Sequence, residues 1–212
     1  TEDMRSKFHK VNKKFQRLFT TQPGRYSGYY GDCDTSLQFN SPPVQTKKVA
    51  TPAYNKDMRD KLADKMNELI DDGTLMPAGK VGVTIKFMSP SMLVPKPGEE
   101  KSWRLVTDFT ALNRFLIRDS STSPTIQQAR SDISQKKFFC EMDLVNYFFQ
   151  GGLAREDCAY LGVQHPYLGP LVYTSSPQGL KNSSEVSYNW LGLIYGSMMR
   201  EGRITRMADG LF

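Results

Sequence analysis

The chain has 212 residues, of which 39% are hydrophobic and 24% charged, with a formal net charge of +6 and an isoelectric point of about 9.2. This composition, with a mean hydropathy of −0.50, favours globular packing over disorder, and no apolar run approaches the ~20 residues of a membrane-spanning helix. The positive charge suits a polyanionic partner, because Lys and Arg that neutralise phosphates release condensed counterions.

The cysteines and the N-terminus indicate the setting of the chain. Cys33, Cys140 and Cys158 are too few and too widely spaced for a disulfide scaffold or a zinc cluster. Thr1 begins a segment without the apolar stretch of a signal peptide. We therefore expect an intracellular protein of the cytoplasm or nucleus, and a processed or truncated piece of a longer chain.

The first predicted element is a basic amphipathic helix from Met4 to Phe19, followed by an irregular connector from Gln22 to Pro52. Two interpretations of the helix stay open: it packs on the body with its charged face in solvent, or it contacts nucleic acid or a membrane surface directly. In the nucleic-acid interpretation, the binding residues are the basic ones, namely Lys7, Lys10, Lys13, Lys14 and Arg17.

A second helix is predicted from about Lys56 to Asp72, with Asn55 as its cap and Gly73 as its stop. One face of this helix is apolar and carries Met58, Leu62, Met66, Leu69 and Ile70. A β-rich part follows, in which apolar segments between Gly and Pro breaks predict an antiparallel sheet. These segments are Val83–Met88, Ser91–Pro95 and Trp103–Asp108.

The remaining elements mix helices and strands, which is typical of an α+β fold. Helices are predicted at Ser123–Ile133 and Glu185–Arg200, and a hairpin joins Ala159–Val163 to Leu171–Thr174. Two further strands are predicted: a buried one at Lys137–Leu144, and one at Arg203–Phe212 that turns at Asp209-Gly210.

Two carboxylates stand at conspicuous places in these elements. Asp143 ends the apolar strand, and Asp209 belongs to an Asp-Gly pair between apolar residues, which is a strong hairpin signal. Taken alone, a strand-end Asp is commonly a cap or a solvated residue, and Asp-Gly is commonly only a turn. Chemistry can be inferred only from the combination.

Four stretches supply that combination: Ser89–Gly98 with Trp103–Asn113, then Phe139–Leu153, Ser176–Ser183 and Met207–Gly210. They resemble, in order, motifs of reverse transcriptases, most closely those of gypsy-type LTR retrotransposons and retroviruses. The family motifs are the fingers hairpin with R-x-x-x-D-[FY]-R-x-L-N, the first palm motif, P-[QF]-G-L-x-N-[AS], and the Y-x-D-D turn. The resemblance spans about Asp60 to Phe212, and Thr110 replaces the second Arg of the first signature.

The resemblance implies an α+β right-hand polymerase fold, in which an antiparallel palm sheet is packed with helices. Residues 1–55 would be the N-terminal helix and connector, 56–136 the fingers, and 137–212 an incomplete palm that ends at the Asp-Gly turn, with the thumb absent. The implied protein is a fragment of a retroelement polyprotein, an RNA-directed DNA polymerase that transfers nucleotides to a primer 3′-hydroxyl. Its partners would be an RNA or DNA template-primer, dNTPs and the missing thumb and ribonuclease H portions, with no membrane. We expect the isolated chain to be inactive.

The resemblance also implies roles for individual residues. Asp143 and Asp209 would be the catalytic carboxylates and, with the carbonyl of Leu144, would bind Mg²⁺ or Mn²⁺. The dNTP would be bound by Lys96 and Arg104 at its triphosphate, by Phe148 as a steric gate, and by Gln178 and Gly179 beneath it. Outside this context these residues have simpler explanations: exposed hairpin charges, a core aromatic and a plain turn.

Two departures keep alternatives open. Gly210 occupies the position of the second Asp of Y-x-D-D, and Met207 that of the Tyr. A degenerate or domesticated descendant that binds nucleic acid or assembles without polymerising therefore stays possible, as does an unrelated α+β binding protein.

Overall fold

The computed structural model describes residues 2–16, 34–45, 48–49, 52–98, 102–118, 124–134, 136–137, 140–207 and 210–211. The helices are α1 (Glu2–Lys14), α2 (Lys56–Asp71), α3 (Ala78–Val81), α4 (Thr110–Asn113), α5 (Ile126–Ser134) and α6 (Ser183–Arg200). The strands are β1 (Leu75–Pro77), β2 (Ser91–Pro95), β3 (Trp103–Thr107), β4 (Met142–Asp143), β5 (Gly162–His165), β6 (Gly169–Tyr173), β7 (Arg206–Met207) and β8 (Gly210–Leu211). The fold is α+β, as predicted, and no described helix has both the length and the apolarity to cross a membrane.

The helix α1 is amphipathic, but its apolar stripe is not packed. Phe8 and Val11 are 53% and 54% exposed, and none of the described residues of α1 is buried. The interpretation in which this helix docks on the body is therefore wrong for the described residues. The physical reason is that charged side chains, among them Arg5 and Lys7, border the stripe, and taking charge out of water is costly.

The helix α2 confirms its local signals. The Asn55 side chain accepts a hydrogen bond from the Met58 N–H at 2.9 Å, and Gly73 follows the helix with a φ of +76°. Both are the conformations that a helix start and a helix end require. Leu62 and Met66 are buried, so the predicted apolar face is the one that packs on the core.

The sheet β1-β6-β5 forms the centre of the main core. β5 and β6 make an antiparallel hairpin with Val163 opposite Leu171, and β1 pairs with the other edge of β6. α2 covers this sheet through Met66, which is fully buried beside Leu75. The predicted hairpin is confirmed, although β5 starts at Gly162 because residues Asp157–Tyr160 form a 3₁₀ turn.

A separate two-stranded hairpin is made by β2 and β3, in the register Ser91 opposite Thr107 and Val94 opposite Arg104. The prediction of a third strand at Val83–Met88 is wrong. The Lys86 and Phe87 N–H groups both donate to the Ala159 carbonyl of the 3₁₀ turn. A curved turn offers no extended ladder, so the segment stays irregular.

The strands β4, β8 and β7 form a small sheet in that order. The predicted buried strand at Lys137–Leu144 is reduced to the exposed β4, in which Met142 is 43% exposed. β4 and β8 have only two residues each, so the sheet that they form offers too small an apolar face for another element to pack on. Met207 pairs with Gly210, which lies in β8, whereas Ala208 and Asp209 lie outside the described residues.

The helix α6 begins at Ser183, two residues before the predicted start, and packs on the 3₁₀ turn Tyr147–Gln150 that follows β4. A second core cluster forms there from Tyr147, Trp190 and Leu191. This cluster fixes the chain that leaves Asp143 against a long helix.

Candidate active site

One cleft, of about 570 Å³, gathers four of the residues that the motifs predict to bind a nucleotide. Lys96 and Arg104 line it from the β2–β3 hairpin, and Gln178 and Gly179 line it from the loop before α6. The two pairs come from distant parts of the sequence, so only the tertiary fold brings them together. The other lining residues are Lys65, Glu68, Leu69, Trp103, Leu105, Val106, Thr107, Asn146, Phe149, Tyr173 and Pro177.

The β2–β3 hairpin places the side chains of Lys96 and Arg104 at the cleft. Arg104 is exposed on β3, and the Lys96 N–H donates to the Ser102 carbonyl at 2.9 Å where the hairpin closes. Gly98 has a φ of +78°, the conformation that the loop between the strands needs. The hairpin that the resemblance implies for Ser89–Gly98 and Trp103–Asn113 is therefore present.

The loop at Gln178 and Gly179 is held rigidly from one side. The Asn113 side chain donates to the Gly179 carbonyl and accepts from the Lys181 N–H, both at 2.9 Å. Gly179 has a φ of +91°, and a Cβ there would lie 3.7 Å from the Thr107 carbonyl. The Asn113 side chain thus holds the backbone on both sides of Leu180, and Gly179 owes its identity to its positive φ.

The three successive aromatic residues after Asn146 face different surroundings. Tyr147 is buried against Trp190, and Phe148 packs on Tyr147 with ring centroids 5.1 Å apart. Phe149 lines the cleft instead. Successive residues of a 3₁₀ helix point about 120° apart, because there are three per turn, so one pocket cannot take all three. Sequence reasoning missed Phe149, since the motif singles out Phe148.

The carboxylate Asp143 is exposed at the end of β4 and stands directly opposite Gly210 in the antiparallel register. Directly opposite residues in such a pair have Cα atoms ~4.5–5.5 Å apart. Asp209 lies outside the described residues, although its chain neighbour Gly210 is placed. In the described part of the chain, no three His, Cys, Asp or Glu side chains form a metal-binding group.

Two titratable groups near the cleft are perturbed by their surroundings. Hydrogen bonds from the hydroxyl and the backbone N–H of Thr110 lower the pKa of Asp108. Burial raises the pKa of Tyr173, another lining residue that the motifs do not indicate, to about 12. Tyr173 therefore stays protonated and can donate a hydrogen bond at any physiological pH.

The predicted nucleic-acid-binding lysines lie on a separate surface. Lys7, Lys10, Lys13 and Lys14 are all exposed on α1, and none lines the cleft. Lys7 donates to Asp3 at 2.8 Å, one turn earlier on the helix. Arg17 lies outside the described residues.

Sequence relatives of the chain are retroelement polyproteins. It is 28% identical over 147 residues to a retrovirus-related Pol polyprotein from transposon opus of Drosophila melanogaster, and 25% identical over 188 residues to that from transposon gypsy. These matches cover 68% and 83% of this chain but only 14% and 17% of the relatives. The enzymatic polyprotein of figwort mosaic virus is 26% identical over 146 residues, 68% of this chain and 21% of that protein. No protein-family profile matches the chain.

Solved structures identify the fold. The native protease-reverse transcriptase of prototype foamy virus superposes with a TM-score of 0.76 at 18% identity, over 100% of this chain and 26% of that one. The foamy viral enzyme in complex with an RNA/DNA hybrid gives 0.70 at 18% identity, over 100% and 27%. The chain therefore has the fold of part of a reverse transcriptase, and its homologues are retroelement Pol polyproteins, as the four motifs predicted.

Proposed function

We propose that this chain is the fingers and palm part of an RNA-directed DNA polymerase, which adds nucleotides from dNTPs to a primer 3′-hydroxyl on an RNA or DNA template. The observation that carries the proposal is the cleft lined by Lys96, Arg104, Gln178 and Gly179. A foamy viral relative in fold is solved with an RNA/DNA hybrid. In a longer polyprotein, thumb and ribonuclease H portions would complete the grip on the duplex.

Lys96 and Arg104 would bind the triphosphate. A triphosphate gathers several negative charges on adjacent oxygens, and fixed cations stabilise the charge that shifts during phosphoryl transfer. Both side chains are exposed at the cleft, so neither has to leave a buried site to bind. Gln178 and Gly179 would lie beneath the nucleotide, where the absence of a Cβ lets the ligand approach the backbone.

An aromatic ring beside the sugar would exclude ribonucleotides by clashing with the 2′-hydroxyl. We keep Phe148 as the proposed gate, and Phe149 is a competitor because it lines the cleft. Alanine variants of each decide between them. The gate is the residue whose loss raises the affinity for an NTP relative to its dNTP, and the other variant serves as the control.

Asp143, Asp209 and the carbonyl of Leu144 would bind Mg²⁺, or Mn²⁺ in its place. Carboxylate and carbonyl oxygens are the donors that these hard cations prefer, and Asp143 is accessible. When bound, the metal would neutralise triphosphate charge and activate the primer hydroxyl. The chain's own contribution is to hold Asp143 at a strand end opposite the Gly210 hairpin.

The test of the proposed function is nucleotide binding by the chain with Mg²⁺, followed through the fluorescence of Trp103, which lines the cleft. A Trp190→Phe background removes the second indole. We expect saturable dTTP binding that Arg104→Ala weakens about tenfold, which corresponds to ~1.4 kcal/mol. The matched control is Arg130→Ala, since Arg130 is an exposed arginine of α5 that does not line the cleft. Equal affinities in all three proteins would refute the nucleotide site.

A second candidate is a nucleic-acid-binding or assembly subunit without polymerase activity. It is favoured by one observation: Gly210, which has no carboxylate, stands opposite Asp143. Primer extension in Mg²⁺ and in Mn²⁺ separates the two functions when the chain is joined to thumb and ribonuclease H portions, since the isolated chain is expected to be inactive. Duplex binding that does not depend on Asp143, together with no extension under either metal, would favour the subunit.

A further inference from the structure

A buried chain of three hydroxyl groups connects the β2–β3 hairpin to β6 behind the cleft. Ser91 Oγ lies 2.9 Å from Thr107 Oγ1, which lies 2.9 Å from the Tyr173 hydroxyl. All three side chains are buried, and Tyr173 is only 3% exposed. Ser91 and Thr107 are directly paired across the hairpin, so the Tyr173 hydroxyl reaches one strand directly and the other through Thr107.

The ring of Tyr173 meets the floor of the cleft. It stacks on Phe149 with centroids 6.2 Å apart and planes inclined by 12°, and it meets the edge of Phe109 at 5.9 Å. Tyr173, Phe149 and Thr107 all line the cleft. One side chain thus contacts the cleft floor through its ring and the hairpin through its hydroxyl.

The hairpin depends on such contacts for its position. β2 and β3 form a two-stranded sheet that shares no ladder with the β1-β6-β5 sheet. An isolated two-stranded hairpin is marginally stable in water, so side-chain contacts must hold it in place. Leu93 is buried in the main core, and its N–H donates to the Tyr54 hydroxyl at 3.0 Å, so Tyr173 acts beside these contacts.

The anchored strand is the one that carries the proposed triphosphate cation. Thr107 ends β3 and Arg104 lies three residues earlier on the same strand. A strand advances about 3.3 Å per residue, so Arg104 lies only about 10 Å from Thr107 along β3. We therefore expect a displacement of Thr107 to displace Arg104 as well. Lys96 lies one residue beyond β2 and is joined to the other strand by its N–H, which donates to the Ser102 carbonyl at 2.9 Å.

We propose that Tyr173 is a positioning residue whose hydroxyl anchors the β2–β3 hairpin, so that Arg104 and Lys96 are held over the phosphate end of a bound nucleotide. The inference rests on the proposed function for the identity of the ligand. The anchoring itself rests on the contacts of Tyr173. Tyr173→Phe keeps the ring and removes only the hydroxyl, and Thr107→Val removes the same hydrogen bond from the other side together with the one between Thr107 and Ser91.

The matched control is Tyr167→Phe, which removes a tyrosine hydroxyl that donates to Asp60 at 2.6 Å outside the cleft. Amide hydrogen exchange of residues 103–107 should be faster in Tyr173→Phe and in Thr107→Val, and unchanged in the control. The affinity for dTTP with Mg²⁺ should fall roughly threefold to tenfold, the range expected for one lost hydrogen bond. The affinity for dTMP should fall less, because a monophosphate lacks the outer phosphates that the cations bind.

The outcomes separate the inference from the proposed function. Unchanged exchange in both variants would overturn the anchoring, whatever the nucleotide affinities are. Faster exchange with an unchanged dTTP affinity, or an equal loss of dTTP and dTMP affinity, would overturn the positioning role. A wild-type chain whose dTTP binding is absent or insensitive to Arg104→Ala would refute the proposed function instead. Hydrogen exchange would still decide whether Tyr173 anchors the hairpin, and Thr107→Val decides it if Tyr173→Phe does not fold.

Discussion

His165 shows how a single buried side chain makes the fold depend on pH. It is 2% exposed, and its Nδ1 accepts hydrogen bonds from the N–H groups of Tyr167 and Leu168 at 3.1 and 3.0 Å. An imidazole that accepts at Nδ1 is neutral with its proton on Nε2. Burial lowers the pKa of His165 from its usual value, so the folded state resists protonation.

Because its pKa is lowered in the folded state, His165 should make the protein less stable in acid. A histidine whose folded pKa lies below its unfolded value stabilises the fold above the unfolded pKa of ~6.5, and this stability is lost as the pH falls through the folded pKa. We expect the urea midpoint to drop between pH 7.5 and pH 5. His165→Gln should show a smaller drop, while His9→Gln, on the exposed α1, should match the wild type. An equal drop in all three proteins would contradict the role of His165.

Gly179 is a second residue whose identity the backbone dictates. Its φ of +91° is one that residues with a side chain rarely adopt. Gly179→Ala should therefore lower the free energy of unfolding by about 1 kcal/mol or more, measured by urea denaturation. Gly79→Ala is the matched control, since Gly79 lies in α3 with no atom within 4 Å of an added Cβ, and it should be neutral or stabilising. A stable Gly179→Ala protein would show that the loop adapts.

At the scale of elements, local signals predicted what local physics controls. The cap Asn55, the apolar face and the stop Gly73 of α2 are all adjacent in sequence, so the helix could be read directly. The exposure of the strand at Asp143 could not be predicted in this way, because burial of a strand depends on its neighbours, and these are more than sixty residues away in sequence. The contact of Thr107 with Tyr173 is equally distant in sequence; Thr107 stands at a position that the first motif leaves unspecified, and Tyr173 lies outside the motifs.

The exposed helix α1 should contribute a salt-dependent part of nucleic-acid binding. Its basic residues Lys7, Lys10, Lys13 and Lys14 are exposed, so each can neutralise a phosphate. Replacing all four by Gln should reduce the slope of log K against log salt by up to about 3.6, since each phosphate contact on duplex DNA contributes about 0.9. The measurement is duplex-DNA binding by fluorescence anisotropy at several salt concentrations.

The control for this prediction changes the same net charge elsewhere. The control variant replaces four lysines of α2, α3 and the segment before β2 by Gln. These lysines are exposed or half-buried and lie far from α1 in sequence: Lys56, Lys61, Lys80 and Lys86. If the control lowers the slope as much as the α1 variant does, binding reflects only the overall charge of +6. The proposal that α1 contacts nucleic acid would then fail.

At the scale of the whole molecule, the proposed site is divided between two sheets. The hairpin β2–β3 carries the cations, and the sheet β4-β8-β7 carries Asp143. The turn Tyr147–Gln150 joins them, because Asn146 and Phe149 line the cleft a few residues after Asp143. Both halves must therefore be intact before either can act on a nucleotide.

The pairing of Asp143 with Gly210 leads to the last prediction. Directly opposite positions of an antiparallel pair place their side chains on the same face of the sheet, so Gly210→Asp would add a carboxylate beside Asp143. Another hard oxygen donor should raise the affinity for a divalent cation, by about tenfold or ~1.4 kcal/mol. Mn²⁺ binding followed by electron paramagnetic resonance measures this directly on the isolated chain, and primer extension by a form joined to thumb and ribonuclease H portions should then proceed at lower Mg²⁺. Gly79→Asp controls for the added charge, and Asp143→Asn should abolish the gain. If Gly210→Asp binds Mn²⁺ no more tightly than the wild type and extends no primer, Asp143 retains the position of a metal ligand without its chemistry, and the subunit becomes the better proposal.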